Sequence, residues 1–136
     1  NIMKIIVFLI ILIFFPSLAS NEVETRTKRF QENKSSMKSI FESINFDDFP
    51  SIIDAASDIS SWANEMANFF PEGSESRGAS NEIWINFDDF KLAASNNKDA
   101  ADALITFAKN SDMKQIKIAF KELSATCKSC HRKFKN

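Results

Sequence analysis

Cys127, Cys130 and His131 fall within five consecutive positions near the end of the chain, in the stretch "CKSCHRKFKN". No other cysteine and no other histidine occurs in the sequence. Residues three apart on a helix share a face, so both thiols address one side, and the imidazole follows at its edge. The spacing C-x-x-C-H is the attachment sequence of a c-type haem. Each thiol adds to one vinyl group of the porphyrin. The adjoining histidine can then offer a ring nitrogen to the iron as axial ligand. Three other chemistries fit less well. A structural zinc site takes about four ligands, more than Cys127, Cys130 and His131 can supply. A thioredoxin-type redox pair belongs beside a βαβ pattern, which is absent. A Cys127–Cys130 disulfide inside a regular helix is geometrically awkward.

The elements that must position this motif read as helices. The apolar residues recur at helical spacing, strand-like alternation is absent, and the chain has only two glycines and three prolines. A first helix is expected to open at Asn21, with Glu24 completing a capping box. Val23, Phe30, Met37 and Ile44 form its stripe, widened by Ile40 and Phe41, and "NFDDFP" (45–50) ends it. A second helix is expected over about 51–70, with Ile52, Ala56, Ile59, Ala63 and Met66 inward and Pro71 as its stop. "PEGSESRGASN" (71–81) reads as a loop. A third helix starts near Asn81 and carries Ile83, Trp84, Phe87 and Phe90, with a kink expected around Ser95–Asn97. Asp112 and Gln115 open the fourth, whose stripe of Ile116, Phe120, Leu123, Cys127, Cys130 and Phe134 contains both thiols. Four such helices with short connections predict an all-α, antiparallel four-helix bundle. The stripes follow a 3.5-residue repeat, which implies a left-handed twist. "INFDDF" occurs at 44–49 and 85–90, but the flanks differ. Its acidic pairs, Asp47–Asp48 and Asp88–Asp89, read as solvated surface.

Residues 3–15, "MKIIVFLIILIFF", followed by "PSLAS", have the form of a secretory signal peptide cleaved near Ala19. The expected organisation is a signal peptide at 1–19 and one haem-binding bundle at 20–136. An exported, periplasmic location suits thioether attachment, which is made outside the cytoplasm. The whole chain has 17 basic and 18 acidic side chains, a balance that argues against nucleic acid as a partner. The 14 phenylalanines, with no tyrosine, suit large apolar walls around one macrocycle.

A C-terminal "TCKSCHRKFK" (126–135) behind three further helices resembles the cytochromes c′, the class II c-type cytochromes. "FFPEGS" (69–74) and "NEIWINFDDF" (81–90) resemble that family's loop and the opening of its third helix, and bring Trp84 among the candidate haem-binding residues. Arg26, Phe30 and Met37 resemble its first helix. The resemblance implies one covalently attached haem c held by Cys127 and Cys130, with His131 on the iron. It implies that Arg26 approaches a haem propionate and that Phe30 lies over the open face of a five-coordinate iron. Lys135 stands where several members have arginine, and lysine lacks the planar fork; a solvated cation at a helix C-terminus is its simpler reading. The implied partners are a diatomic gas, nitric oxide or carbon monoxide, and periplasmic redox proteins. Members are often homodimers through their first two helices, where Trp62 either borders the interface or flanks the core. The alternative is a low-spin electron-transfer cytochrome with methionine as sixth ligand, and Met37 and Met66 are the candidates. Met37 lies about 10 Å along the helix from Phe30, so both cannot cover one iron. No acid–base pair or second histidine accompanies the motif, which disfavours an enzyme.

Overall fold

The computed structural model describes residues 18–136. The expected signal peptide lies outside them, apart from Leu18 and Ala19, which open the first helix. The bundle is built from α1 (Leu18–Asn45), α2 (Phe49–Glu65), α4 (Phe87–Lys109) and α5 (Met113–Phe134). A 3₁₀ turn, Met66–Phe69, extends α2, and a single turn, α3 (Glu82–Ile85), precedes α4. In chain order each long helix packs on the next, and α1 meets α5 only sparsely. Among the described residues no helix is long and apolar enough to cross a membrane.

Local chemistry sets most of the boundaries. Asp47 takes a positive φ of 52° and turns the chain after α1. Asp48 then caps α2, its Oδ1 accepting the Ser51 N–H at 3.2 Å. Pro50 stands in the first turn of α2, where a missing N–H removes no helical bond. Asp112 caps α5 as expected, accepting the Gln115 N–H at 3.1 Å.

Three expectations are corrected. Asn21 lies inside α1 and does not cap it. The α-helical part of α2 ends at Glu65, not at Phe70. The third helix breaks at Asn86 (φ −121°, ψ 53°), not at Ser95–Asn97. There the Trp84 indole N–H donates to the Phe70 carbonyl at 3.0 Å. The Asn86 amide donates to Glu82 Oε2 at 2.6 Å. These contacts hold α3 against the loop and turn it off the axis of α4.

The core has two parts. An aliphatic half contains Ile40, Ile52, Ile59, Leu104, Ile116 and Leu123. An aromatic half contains Trp62, Phe70, Phe90 and Phe134, with Cys130 and Phe30 packed against it. Trp62 is 1% exposed, so it belongs to the core and not to the surface. The end of α5 is tied to the loop that follows α2. Phe134 accepts from the Ser80 N–H at 3.0 Å, and the Asn136 N–H donates to Gly78 at 3.1 Å.

Candidate functional site

Cys127 and Cys130 are free thiols, both half-buried on α5, and Cys130 packs against the aromatic half of the core. The neighbour that most directly orients Cys127 is Asn97, 5% exposed on α4. Its amide donates to Thr126 Oγ1 at 2.9 Å and to Cys127 Sγ at 3.5 Å. Asn97 went unmarked in the sequence reading, where it signalled only a kink. The available signal was its register: Phe90, Ala94, Asn97, Ala101 and Leu104 step at stripe spacing and are all buried. A polar residue on such a stripe requires a partner, and Thr126 with Cys127 provides it.

His131 is an exposed residue whose ring nonetheless packs edge-on to Phe30, centroids 6.4 Å apart at 71°. Partial desolvation lowers its pKa, and the positive charge of Lys135 adds to the effect. Both effects favour the neutral ring, the form that donates a lone pair to a metal. Lys135 itself is exposed just past α5, and its N–H closes the helix on the His131 carbonyl at 3.1 Å.

Burial pushes the Cys127 thiol up. Burial, with Cys127 beside it, pushes Cys130 up to about 11. In the haem-free chain Cys130 is therefore expected to be about one part in a thousand thiolate at pH 8. Its alkylation by iodoacetamide, followed by peptide mass spectrometry, should accelerate roughly tenfold per pH unit up to about pH 11. A rate that levels off near the ordinary thiol range would contradict this environment.

Opposite His131, Phe30 stands on α1 within a continuous set of aromatic contacts. Its ring lies 5.5 Å from Trp62 and 6.5 Å from Phe70. Phe70 in turn meets Phe90 at 4.8 Å, and Phe90 meets Phe134 at 5.3 Å. Met37 packs in the aliphatic half instead. Met66 is buried in the aromatic half. The structure thus brings together Cys130, His131, Phe30, Trp84 and Met66 at one end and leaves Met37 at the other.

Arg26 is 3% exposed, one turn before Phe30. Its guanidinium donates to the Phe69 carbonyl and to Ser74 Oγ at 3.0 and 2.9 Å, to the Ser74 carbonyl, and to Ser76 Oγ at 3.1 Å. It also lies over the Phe70 ring at 4.3 Å. Burial lowers its pKa, while Glu22 and Glu75 act in the opposite sense. In this structure Arg26 holds the loop 69–76 in place, and that loop carries part of the aromatic wall. Sequence reading missed this clamp and its buried acceptor Ser74.

The residues present fit a covalently bound porphyrin. Two free thiols and an imidazole lie on the last turns of α5, where Cys130 and the His131 ring adjoin the wide apolar walls of the aromatic half. The buried Trp62 N–H has no acceptor among the described residues, a vacancy that a bound polar group can fill.

A family model described as cytochrome c′ matches residues 21–135. The cytochrome c′ of Rhodospirillum rubrum is 35% identical over 88 residues, covering 60% of this chain and 58% of that protein. Cytochrome c-556 of Agrobacterium fabrum is 37% identical over 82 residues, covering 60% and 56%. The chain thus spans less than two thirds of these curated relatives. The crystal structure of cytochrome c′ from Thermochromatium tepidum superposes with a TM-score of 0.79 at 24% identity, covering 86% of this chain and 95% of that one. The chain belongs to the cytochrome c′ family, and its prosthetic group is covalently attached haem c.

Proposed function

We propose that this chain is an exported haem c protein that binds nitric oxide or carbon monoxide at an open iron face beneath Phe30, and exchanges electrons as a secondary role. The observation that carries this reading is the placement of Phe30 against His131, at a centroid separation of 6.4 Å. Phenylalanine has no atom that can ligate iron, so the residue set against the imidazole blocks space without occupying a coordination position. When bound, the haem supplies a metal centre that takes a diatomic ligand.

Each residue then has a defined task. Cys127 and Cys130 would hold the porphyrin through their sulfurs, with Asn97 positioning the Cys127 sulfur. His131 would supply a ring nitrogen to the iron. Phe30, Phe70 and Trp62 exclude water and offer a bound gas no hydrogen-bond donor from Phe30. The Trp62 N–H is the group suited to a haem carboxylate, and Arg26, whose terminal N–H groups hold the loop 69–76, would reach one only with the donor that this clamp leaves over. Pairing of two copies through α1 and α2 belongs to the same proposal, and sedimentation equilibrium reads it. In this proposal the protein acts as a binder and carrier.

The test is carbon monoxide association with the ferrous holoprotein, followed by flash photolysis. Phe30→Ala is expected to speed association by about tenfold or more, since it removes the steric block while His131 stays in place. An unchanged rate would remove Phe30 from the ligand path.

A further inference from the structure

The segment from Met113 to Asn136 carries seven basic residues and one acidic one, while the rest of the chain is acidic on balance. Five of the seven, Lys114, Lys117, Lys121, Lys128 and Arg132, recur at steps of 3, 4, 7 and 4 and so form one stripe along α5. All five are exposed. The stripe runs beside His131, with Lys128 one turn before it. It borders the side on which α1 meets α5, marked by the Phe30–His131 and Phe41–Phe120 ring contacts. Across that line, Lys34 extends the charge onto α1. It is exposed, four residues after Phe30 and seven before Phe41, and so on their face.

The bundle itself does not account for this stripe. Before α5, five of the nine basic side chains among the described residues are ion-paired: Lys28 and Arg29 with Glu32, Arg29 with Glu65, Lys38 with Glu42, Lys91 with Asp88, Lys98 with Asp102. On α5 only Lys133 is paired, with Asp89, and it lies off the stripe. None of the five stripe residues makes an ion pair among the described residues. Neighbouring like charges one turn apart repel. Lys114, moreover, sits in the first turn of α5, where the helix dipole disfavours a cation. The arrangement weakens the free helix and becomes favourable only against a negative surface.

We propose that this stripe is the docking face for an acidic protein that exchanges electrons with the haem-bearing end of the bundle. The proposal rests on the electron-exchange part of the function above and names the chemistry of the partner. An anionic membrane is disfavoured because the apolar stripe of α5 is committed to the core, which leaves Ile118 as the one large apolar side chain that α5 exposes, too little to insert.

The test uses the holoprotein and short poly-L-glutamate as the probe, with affinity read by titration calorimetry at low salt. The stripe variant Lys117→Gln/Lys121→Gln/Lys128→Gln/Arg132→Gln should bind about thirtyfold more weakly, as four modest exposed pairs multiply. A control with the same net charge, Lys28→Gln/Lys38→Gln/Lys91→Gln/Lys109→Gln, should lose less than about twofold. The stripe variant should melt no lower than the native protein, because it relieves repulsion. Equal loss in both variants, or none in either, would overturn the proposal. So would binding to phosphatidylglycerol vesicles in preference to polyglutamate, which would point to a membrane. Polyglutamate binding is read without any gas ligand, so its failure leaves the Phe30 experiment untouched, and the reverse holds.

Discussion

His131→Ala is expected to give a protein that still carries haem through both thioethers but has lost its only imidazole. The chain has one histidine, so no second residue of that type can replace it. The thiols at Cys127 and Cys130 lie on the helix independently of the ring, and the β-carbon of alanine keeps α5 intact. The attached mass should be unchanged, while the absorption bands and the response to carbon monoxide should change throughout. Added imidazole should restore them in part. A variant with the native spectrum would remove His131 from the iron. Cys127→Ala/Cys130→Ala is the complement, and its haem should be extracted completely by acid acetone.

The second large effect concerns stability. Arg26→Met should lower the free energy of unfolding by about 3 kcal/mol, because the buried Ser74 and Phe69 acceptors lose charged donors and keep no others of that strength. Relaxation of the loop limits the loss. Arg26→Lys should recover little of it, since one ammonium cannot reach both carbonyls and both hydroxyls that the guanidinium spans. Urea unfolding of the haem-free and haem-bearing protein reads both values. A loss below about 1 kcal/mol would show that the loop 69–76 holds itself in place.

The parts of the fold that follow from short-range chemistry were legible in the sequence. The C-x-x-C-H spacing, the Asp112 cap and the end of α1 before Pro50 each depend on residues within a few positions of one another. The features that were misread depend on contacts far along the chain. Ile85 and Phe87 continue the apolar pattern straight through the break at Asn86, and the contact that turns α3 aside from a distance is Trp84 reaching Phe70 and Pro71. Asn97 looked like a helix disruptor because its partner Thr126 lies 29 residues away on another helix. Arg26 was tied to a haem carboxylate by resemblance alone, and its clamp on a loop 43–50 residues distant had no local signature. Asn21 has the residue type of a cap, but the helix continues through it to Leu18.

The position of the two core methionines bears on the competing reading. Met37 packs among aliphatic residues away from His131, and Met66 is buried in the aromatic half beside Phe30's neighbours. A thioether on the iron would have to come from one of them. The most direct measurement is the spin state of the ferric holoprotein at neutral pH, by electron paramagnetic resonance and absorption. An open face beneath Phe30 predicts a high-spin signal that Met37→Ala and Met66→Ala leave unchanged and that Phe30→Met shifts towards low spin. A low-spin native protein that turns high-spin on loss of either methionine would contradict the account.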